Sequence, residues 1–511
     1  MMMTQSPEAI FSQYKKGVAY KQSIDLYDTV KKNQNFYVGN QWEGVNAPEL
    51  DKPVFNILKR VCNMFIASIV SDDIGASVRP FRTDAQSQLA AKLLEKEIAR
   101  AMEHAKVKTK NRDAMKNACV DGDCCFYVYF DEQAKTGQLA QGRLAVDLID
   151  NTNVLFSNTA TTEVQKQDYI LIVQRRHVDD VRREAAANGI AQAQIDAIVP
   201  DADENALTAH EEEQNVTVLV KLWRENGTIH CAKSTQTAFV KYPFDTKLTL
   251  YPVAYMSWEK VKNRCHGQAA VTELVPNQIF INKCYAMGMD YVKKMAFPKL
   301  IYDGNKFPNG FSNRIGEAIK VSGNVNDAIT NAFKMPEMSY QVMELVEKTM
   351  AYTKEYMGAS DASLGTMRPD NATAIIALQK ATTAPLELNK LAFYQFVEDY
   401  IRIFIDIITT CYGLREVSYT APDGAQVQTS FDFALLKDLM FDLEVNIGAS
   451  AYWSEITQVQ TADNLFNKGV IADPEVYLES IPETYVKNKQ SILNAIRESK
   501  NAAQAKTTQA Q

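Results

Sequence analysis

The sequence predicts an α+β fold, and three observations carry that prediction. Short runs of β-branched and aromatic residues crowd one block, from about residue 124 to residue 258, between two helical blocks. Two helix-period segments near 271–297 and 339–357 bracket a small insert with mixed α and β patterning. A 41-residue helical pattern, 372–412, follows a long polar loop. The composition, 46% hydrophobic and 23% charged over 511 residues, is that of an ordinary globular chain long enough to bury a large core.

The elements follow in order. The first fifty residues read as polar helix, then as FYVGNQWEGVNAPEL, a turn-rich segment with aromatic anchors. In PVFNILKRVCNMFIASIV, Pro53 to Val70, the residues Phe55, Leu58, Val61, Cys62, Phe65 and Ile69 recur at helical spacing, so a helix with one buried face is expected. A second helix is expected over Ala85 to Cys119. CCFYVYFD, RLAVDLI, NVLFS and DYILIVQRR then read as strands. Asp179 or Asp180 is expected to cap a helix that Asn188-Gly189 ends. VTVLVKLWRENGTIHCAKS is a hairpin with Asn226-Gly227 at its turn, and LTLYPVAYMSWEKV continues the sheet.

At Ala270 the period changes. Leu274, Ile281, Tyr285, Met289 and Val292 share one face of a helix of about 30 Å, with Pro276 in its first turn and Phe297-Pro298 stopping it. A forty-residue insert and a returning helix lead into GASDASLGTMRPDN, a loop longer than packed helices need. The pattern from Ala372 to Tyr412 would run about 60 Å, capped by Asp370 or Asn371 and kinked at Pro385. REVSYTAPDGAQVQTSFDF is a second hairpin, FDLEVNIG a further strand, and 449–499 is helical. A helix pair that holds an insert some 30 Å from the body exposes much surface unless it packs on copies of itself, which argues for a ring or bundle of subunits.

Motifs for chemistry are sparse. There is no GxxxxGK[ST], no GxGxxG after a strand and no GxSxG, and HEEEQ at His210 lacks a second zinc-binding His. No catalytic residue, cofactor or metal site is therefore assigned. Asp201, Asp203, Asn205 and Glu212 imitate a calcium loop, but Ala206 stands where that loop needs Gly. Cys119, Cys124, Cys125, His230-Cys231 and Cys265-His266 lack zinc spacing, and the eight Cys are expected to be reduced, partly buried thiols. Asp121-Gly-Asp123 is expected to be a tight turn. The N-terminal MMMTQSPEAIFSQYKKG offers no apolar core for a signal peptide, and no run suits a membrane span.

The chain resembles the portal (head-to-tail connector) proteins of tailed bacteriophages. FYVGNQW with PVFNILKRVCNMFIASI resembles their N-terminal segment, and CVDGDCCFYVYFD with IDNTNVLFSNTATTEVQKQDYILIVQRR their wing. YPVAYMSWEKVKNRCHGQAAVTELVPNQIFINKCYAMGMDYVKKMAFPKL is similar to the entry to the stem. GASDASLGTMRPDNATAIIALQKAT is similar to the tunnel loop, and LFNKGVIADPEVYLESIP to the crown. The resemblance implies an N-terminal arm at 1–50, a wing at 51–270, stem helices at 271–297 and 339–357, and a clip at 298–338. It further implies a tunnel loop at 358–371, a long kinked helix at 372–412, wing return strands at 413–449 and a crown at 450–497; the crown is short for the family, and the low-complexity tail 498–511 is expected to be disordered. It also implies a non-enzymatic homo-oligomer, usually a 12-mer, made in the host cytoplasm and built into one capsid vertex of the virion. Such a ring passes double-stranded DNA in packaging and ejection. Its implied partners are the large terminase, a head-completion or tail adaptor, and the major capsid and scaffolding proteins, with no membrane. A neck or baseplate protein of the virion is the alternative, and a nuclease a distant third.

A net charge of −7 per chain fits a conduit better than a tight DNA binder, since twelve copies would carry about −84. The candidate channel contacts are Gly358, Ser360, Ser363, Gly365, Thr366 and Arg368 in the loop, and Lys283, Lys293 and Lys294 on the first stem helix. Lys283 and Lys294 lie three turns apart on one face, with Asp290 nearly on it, so pairing with Asp290 or with acids of a neighbouring subunit is the competing expectation.

Overall fold

The computed structural model describes residues 5–70, 74–81, 84–138, 140–202, 214–296, 305, 322–324, 340–356, 386–420, 426–438, 441–447, 459, 461–471, 473–481 and six positions between 486 and 496. The N-terminal arm is two helices, α1 (Pro7–Ser23) and α2 (Leu26–Val38). Ser6 caps α1 by accepting from the Ala9 amide, and Pro7 opens its first turn. Asp25, at φ 54°, breaks the run between them.

Helix α3 (Ile57–Ile69) starts later than its periodicity suggests, because Asn56 caps it by accepting from the Lys59 amide at 2.9 Å. Leu58, Val61, Cys62, Phe65 and Ile69 are buried as expected. Phe55 precedes the cap and is half exposed, its ring 4.3 Å from that of Tyr285.

The expected helix over 85–119 is two helices, α4 (Ala85–His104) and α5 (Val107–Asp121). Lys106, at φ 53°, turns the chain between them. The turn lets Ala101, Ala105 and Val107 all reach the core, which one straight helix would not do. Ahead of α4, β1 (Ile74–Pro80) pairs antiparallel with the late strand β12 (Phe441–Ile447). Its sequence, IGASVRP, carries too little β-branched patterning to be picked out alone.

The β-rich block divides into two sheets. β2 (Asp123–Asp131), β3 (Arg143–Ile149) and β9 (Val253–Ser257) form one, in the order β3-β2-β9. β4 (Val154–Phe156), β5 (Tyr169–His177), β6 (Asn215–Glu225), β7 (Thr228–Ser234) and β8 (Phe239–Leu248) form the other, in chain order. Asn226 (φ 52°) and Gly227 (φ 87°) make the tight β6–β7 turn. The expectation that LTLYPVAYMSWEKV continues the hairpin's sheet fails at residue 249. Asp406 accepts from the amides of Thr249 and Leu250 at 2.8 and 2.9 Å, and the chain crosses to β2. Between β5 and β6, α6 (Val178–Ala187) is capped by the His177 side chain, two residues before the first of the expected aspartates, and a short helix α7 (Gln192–Asp196) follows.

A helix α10 (Glu387–Cys411) roofs the smaller sheet. Phe393, Phe396, Val397, Tyr400, Ile401, Phe404, Ile407 and Ile408 are buried there, and Phe126 of β2 meets Phe396 and Tyr400 at 5.0 and 5.6 Å. β10 (Leu414–Thr420) and β11 (Gln426–Asp432) form the second hairpin. The expected start of the long helix, Ala372 to Pro385, lies outside the described residues, as do 358–371, the tail 498–511 and 298–338 except Asn305 and 322–324. The whole is an α+β fold.

Candidate functional site

Helices α8 (Ala270–Ala296) and α9 (Tyr340–Tyr356) carry the region where sequence reasoning placed function. They pack antiparallel: Asn277 Nδ2 donates to Thr353 Oγ1 at 3.2 Å, and Tyr285 Oη donates to Met350 Sδ at 3.8 Å. The first half of α8 is core. Val271, Leu274 and Val275 pack against Leu58, Val61, Cys62 and Phe65 of α3.

Amide side chains lock this half in place. Gln278 Oε1 accepts from the amides of Ile57 and Leu58, while its Nε2 donates to Phe55 O at 2.8 Å and Asn282 Oδ1 at 3.0 Å. Asn282 Nδ2 donates to Gln41 Oε1 at 2.6 Å, and Gln41 Nε2 to Phe36 O at 2.9 Å. This ladder joins the end of α2, the start of α3 and α8. In the first turn of α3, the Leu58 amide finds its partner on another helix, while the Ile57 amide is shared between Gln278 Oε1 and Phe55 O.

The second half of α8 is different. Met289 and Val292, expected on the same face as buried Leu274 and Ile281, are exposed, Val292 at 63%. Met287, Leu345 and Tyr352 are exposed as well. Large contiguous patches of exposed apolar side chains are the kind of surface that interaction sites use.

The three candidate lysines sit differently. Lys283 is exposed and lines a cleft of about 430 Å³ with Lys31, Lys32, Trp42, Glu43 and Asn282. Lys293 pairs with Asp51 at 2.5 Å and Lys294 with Asp290 one turn back at 2.7 Å. Two of the three cations are thus balanced within the chain. Gly358, Ser360, Ser363, Gly365, Thr366, Arg368 and Pro385 lie outside the described residues.

Sequence reasoning missed a buried polar cluster at the root of α8. Asp123 is fully buried; its carboxylate accepts from His266 Nδ1 at 3.0 Å and from the Gly267 amide at 2.8 Å. Lys21 of α1, also buried, donates to the carbonyls of Asn151 and Val154 at 2.7 and 2.5 Å. Burial pulls Lys21 down to about 7 and holds His266 below its ordinary value. Burial also pushes Asp121 up to about 7, although Gln34 Nε2 donates to both of its oxygens. The one sequence signal was Asp121-Gly-Asp123, read as a turn. Gly122, at φ 102°, is that turn, and a Cβ there would lie 2.9 Å from Gly267 O.

Of the calcium-loop imitation only Asp201 lies among the described residues; Asp203, Asn205 and Glu212 lie outside them. Asp201 pairs with Arg175 and accepts from the Thr217 amide at 2.9 Å. The cysteines are free thiols, all buried except half-buried Cys411, and burial raises Cys124 well above its usual value. Among the described residues, no group of three or more His, Cys, Asp or Glu converges as a metal site would, and no helix is long and apolar enough to cross a membrane.

This defines an α+β chain whose helices α8 and α9 form an antiparallel pair with exposed apolar side chains. Residues 14–151 match the family described as Phage P22-like portal protein, which supports a phage portal protein, as the sequence resemblance implies. The matched stretch runs from α1 through β3 into the polar cluster and stops short of α8. No curated protein matches the chain.

Proposed function

We propose that the protein forms the portal ring at one capsid vertex of a tailed phage, the channel for DNA packaging and ejection. In this reading α8 and α9 are stem helices, and their exposed outer apolar faces pack on neighbouring copies. Residues 358–371 form the tunnel loop facing DNA, and 298–338 the clip that meets the tail or neck adaptor. Terminase docks on the same ring during packaging. The observation that carries the reading is the pairing of a portal-family match over residues 14–151 with a helix pair that exposes Met287, Val292, Leu345 and Tyr352.

Native mass measurement of the purified chain, with ring-averaged electron micrographs, tests it. A closed ring of about twelve subunits with a central hole is expected. A monomer, or an assembly without a central hole, overturns the reading, and an elongated or tail-attached assembly would favour a neck or baseplate protein instead.

A further inference from the structure

We propose that Lys21, Asp123 and His266 form an acid-sensitive latch: protonation of His266 frees α1 from the root of α8. The three come from distant parts of the chain yet share one buried site. Lys21 is 1% exposed, Asp123 0% and His266 3%. Lys21 is fastened by the carbonyl at 151, in the connection between β3 and β4, and by that at 154, the first residue of β4. His266 and Gly267 are fastened by Asp123, at the junction of α5 and β2. Gly267 lies three residues before α8 begins, so the cluster ties the first helix, both sheets and the root of the projecting pair together.

The charge balance is what makes it sensitive. A carboxylate only accepts, so neutral His266 donates its Nδ1 proton to Asp123. Below about pH 7, where Lys21 is charged, one ammonium then faces one carboxylate. A protonated imidazole adds a second positive charge where water cannot reach it. The groups facing the site do not offset that charge. They are Tyr20 from α1, Asp121 from α5, Cys125 from β2, Tyr255 from β9, and Arg264 and Cys265 from the connection to α8. Asp121 is held toward its neutral form by burial, the thiols stay protonated, and Arg264 adds a further cation. Tyr255 Oη lies 3.2 Å from the same imidazole nitrogen and donates to Cys265 O at 3.1 Å. Since His266 is held below its ordinary value, the released chain takes up the proton first as pH falls, and acid therefore favours release.

Backbone hydrogen exchange on the full chain, between about pH 8 and about pH 5 and corrected for intrinsic rates, tests the latch. Amides of α1 and of residues 265–275 should lose protection together by about tenfold or more, while α10 stays protected. His266→Gln, which can still donate to Asp123 but cannot gain a proton, should flatten the response. Lys21→Met should shrink it, because Asp123 then balances the imidazolium alone. The latch is overturned if α1 protection is constant across the range, if α10 opens with it, or if His266→Gln shows the same loss. A flat wild-type titration overturns the latch even if a variant fails to fold, His266→Gln separates the imidazole from Lys21, and neither measurement depends on the ring.

Discussion

Lys293, near the end of α8, lies 2.5 Å from Asp51, in the segment before α3. The contact holds the outer part of the projecting helix to the body across more than two hundred residues of sequence. It also answers a question that helical periodicity leaves open, because the partner of this lysine is an acid of its own chain. Both side chains are partly exposed, so the pair is screened and weak. A double-mutant cycle with Asp51→Asn and Lys293→Met should give a coupling of about 0–1 kcal/mol that fades in high salt.

Lys283 differs from its neighbours on α8 in having no ion pair among the described residues. In phage particles, Lys283→Ala should change DNA packaging rate or retention more than Lys294→Ala, whose charge Asp290 already balances. Equal effects in a packaging assay would remove Lys283 from the channel reading.

Gln278 is the centre of the amide ladder. Gln278→Leu leaves the buried Leu58 amide without its partner, while the Ile57 amide and the Phe55 carbonyl still meet each other at 2.8 Å. Urea unfolding should register a loss of about 1–3 kcal/mol, the cost of one buried donor left unsatisfied.

Gly267→Ala would bring a Cβ within 2.6 Å of Glu259 O, and Gly122→Ala would combine a φ of 102° with a contact of 2.9 Å to Gly267 O. In both cases the obstacle is backbone, which cannot swing aside. Each substitution should cost at least about 1–3 kcal/mol and lower the melting temperature. Gly189→Ala, with a positive φ but open space around it, should cost less than Gly122→Ala.

Asp121 gives a pH signature opposite to that of the latch. Burial raises its folded value to about 7, above the unfolded value of 3.8. Its contribution is therefore fully present below about pH 4 and is lost as pH rises through 7. Asp121→Asn should be more stable than wild type near pH 8, and the advantage should vanish near pH 4 in thermal melts followed at both values.

The local elements were legible in the sequence because their causes are local. Alternation in CCFYVYFD and DYILIVQRR, the Asn226-Gly227 turn and the apolar stripe of α3 each act over a few residues. The misreadings have local causes too. Asp25 and Lys106 adopt left-handed backbone that their residue types do not announce, so helices expected to be continuous are split. Nothing in IGASVRP points to a strand whose partner lies some 360 residues away.

By itself, the sequence determined the α+β class, most strands and helices, the absence of familiar enzyme motifs and the resemblance to phage portal proteins. Only the tertiary structure decided which side chains meet. It transferred β9 to the smaller sheet, paired Lys293 with Asp51, threaded Gln278 into the start of α3, and gathered Lys21, Asp123 and His266 in one dry site. Periodicity fixes which face of an element is apolar, but a buried amide, carboxylate or lysine finds its partner wherever the whole chain brings complementary donors and acceptors within about 3 Å.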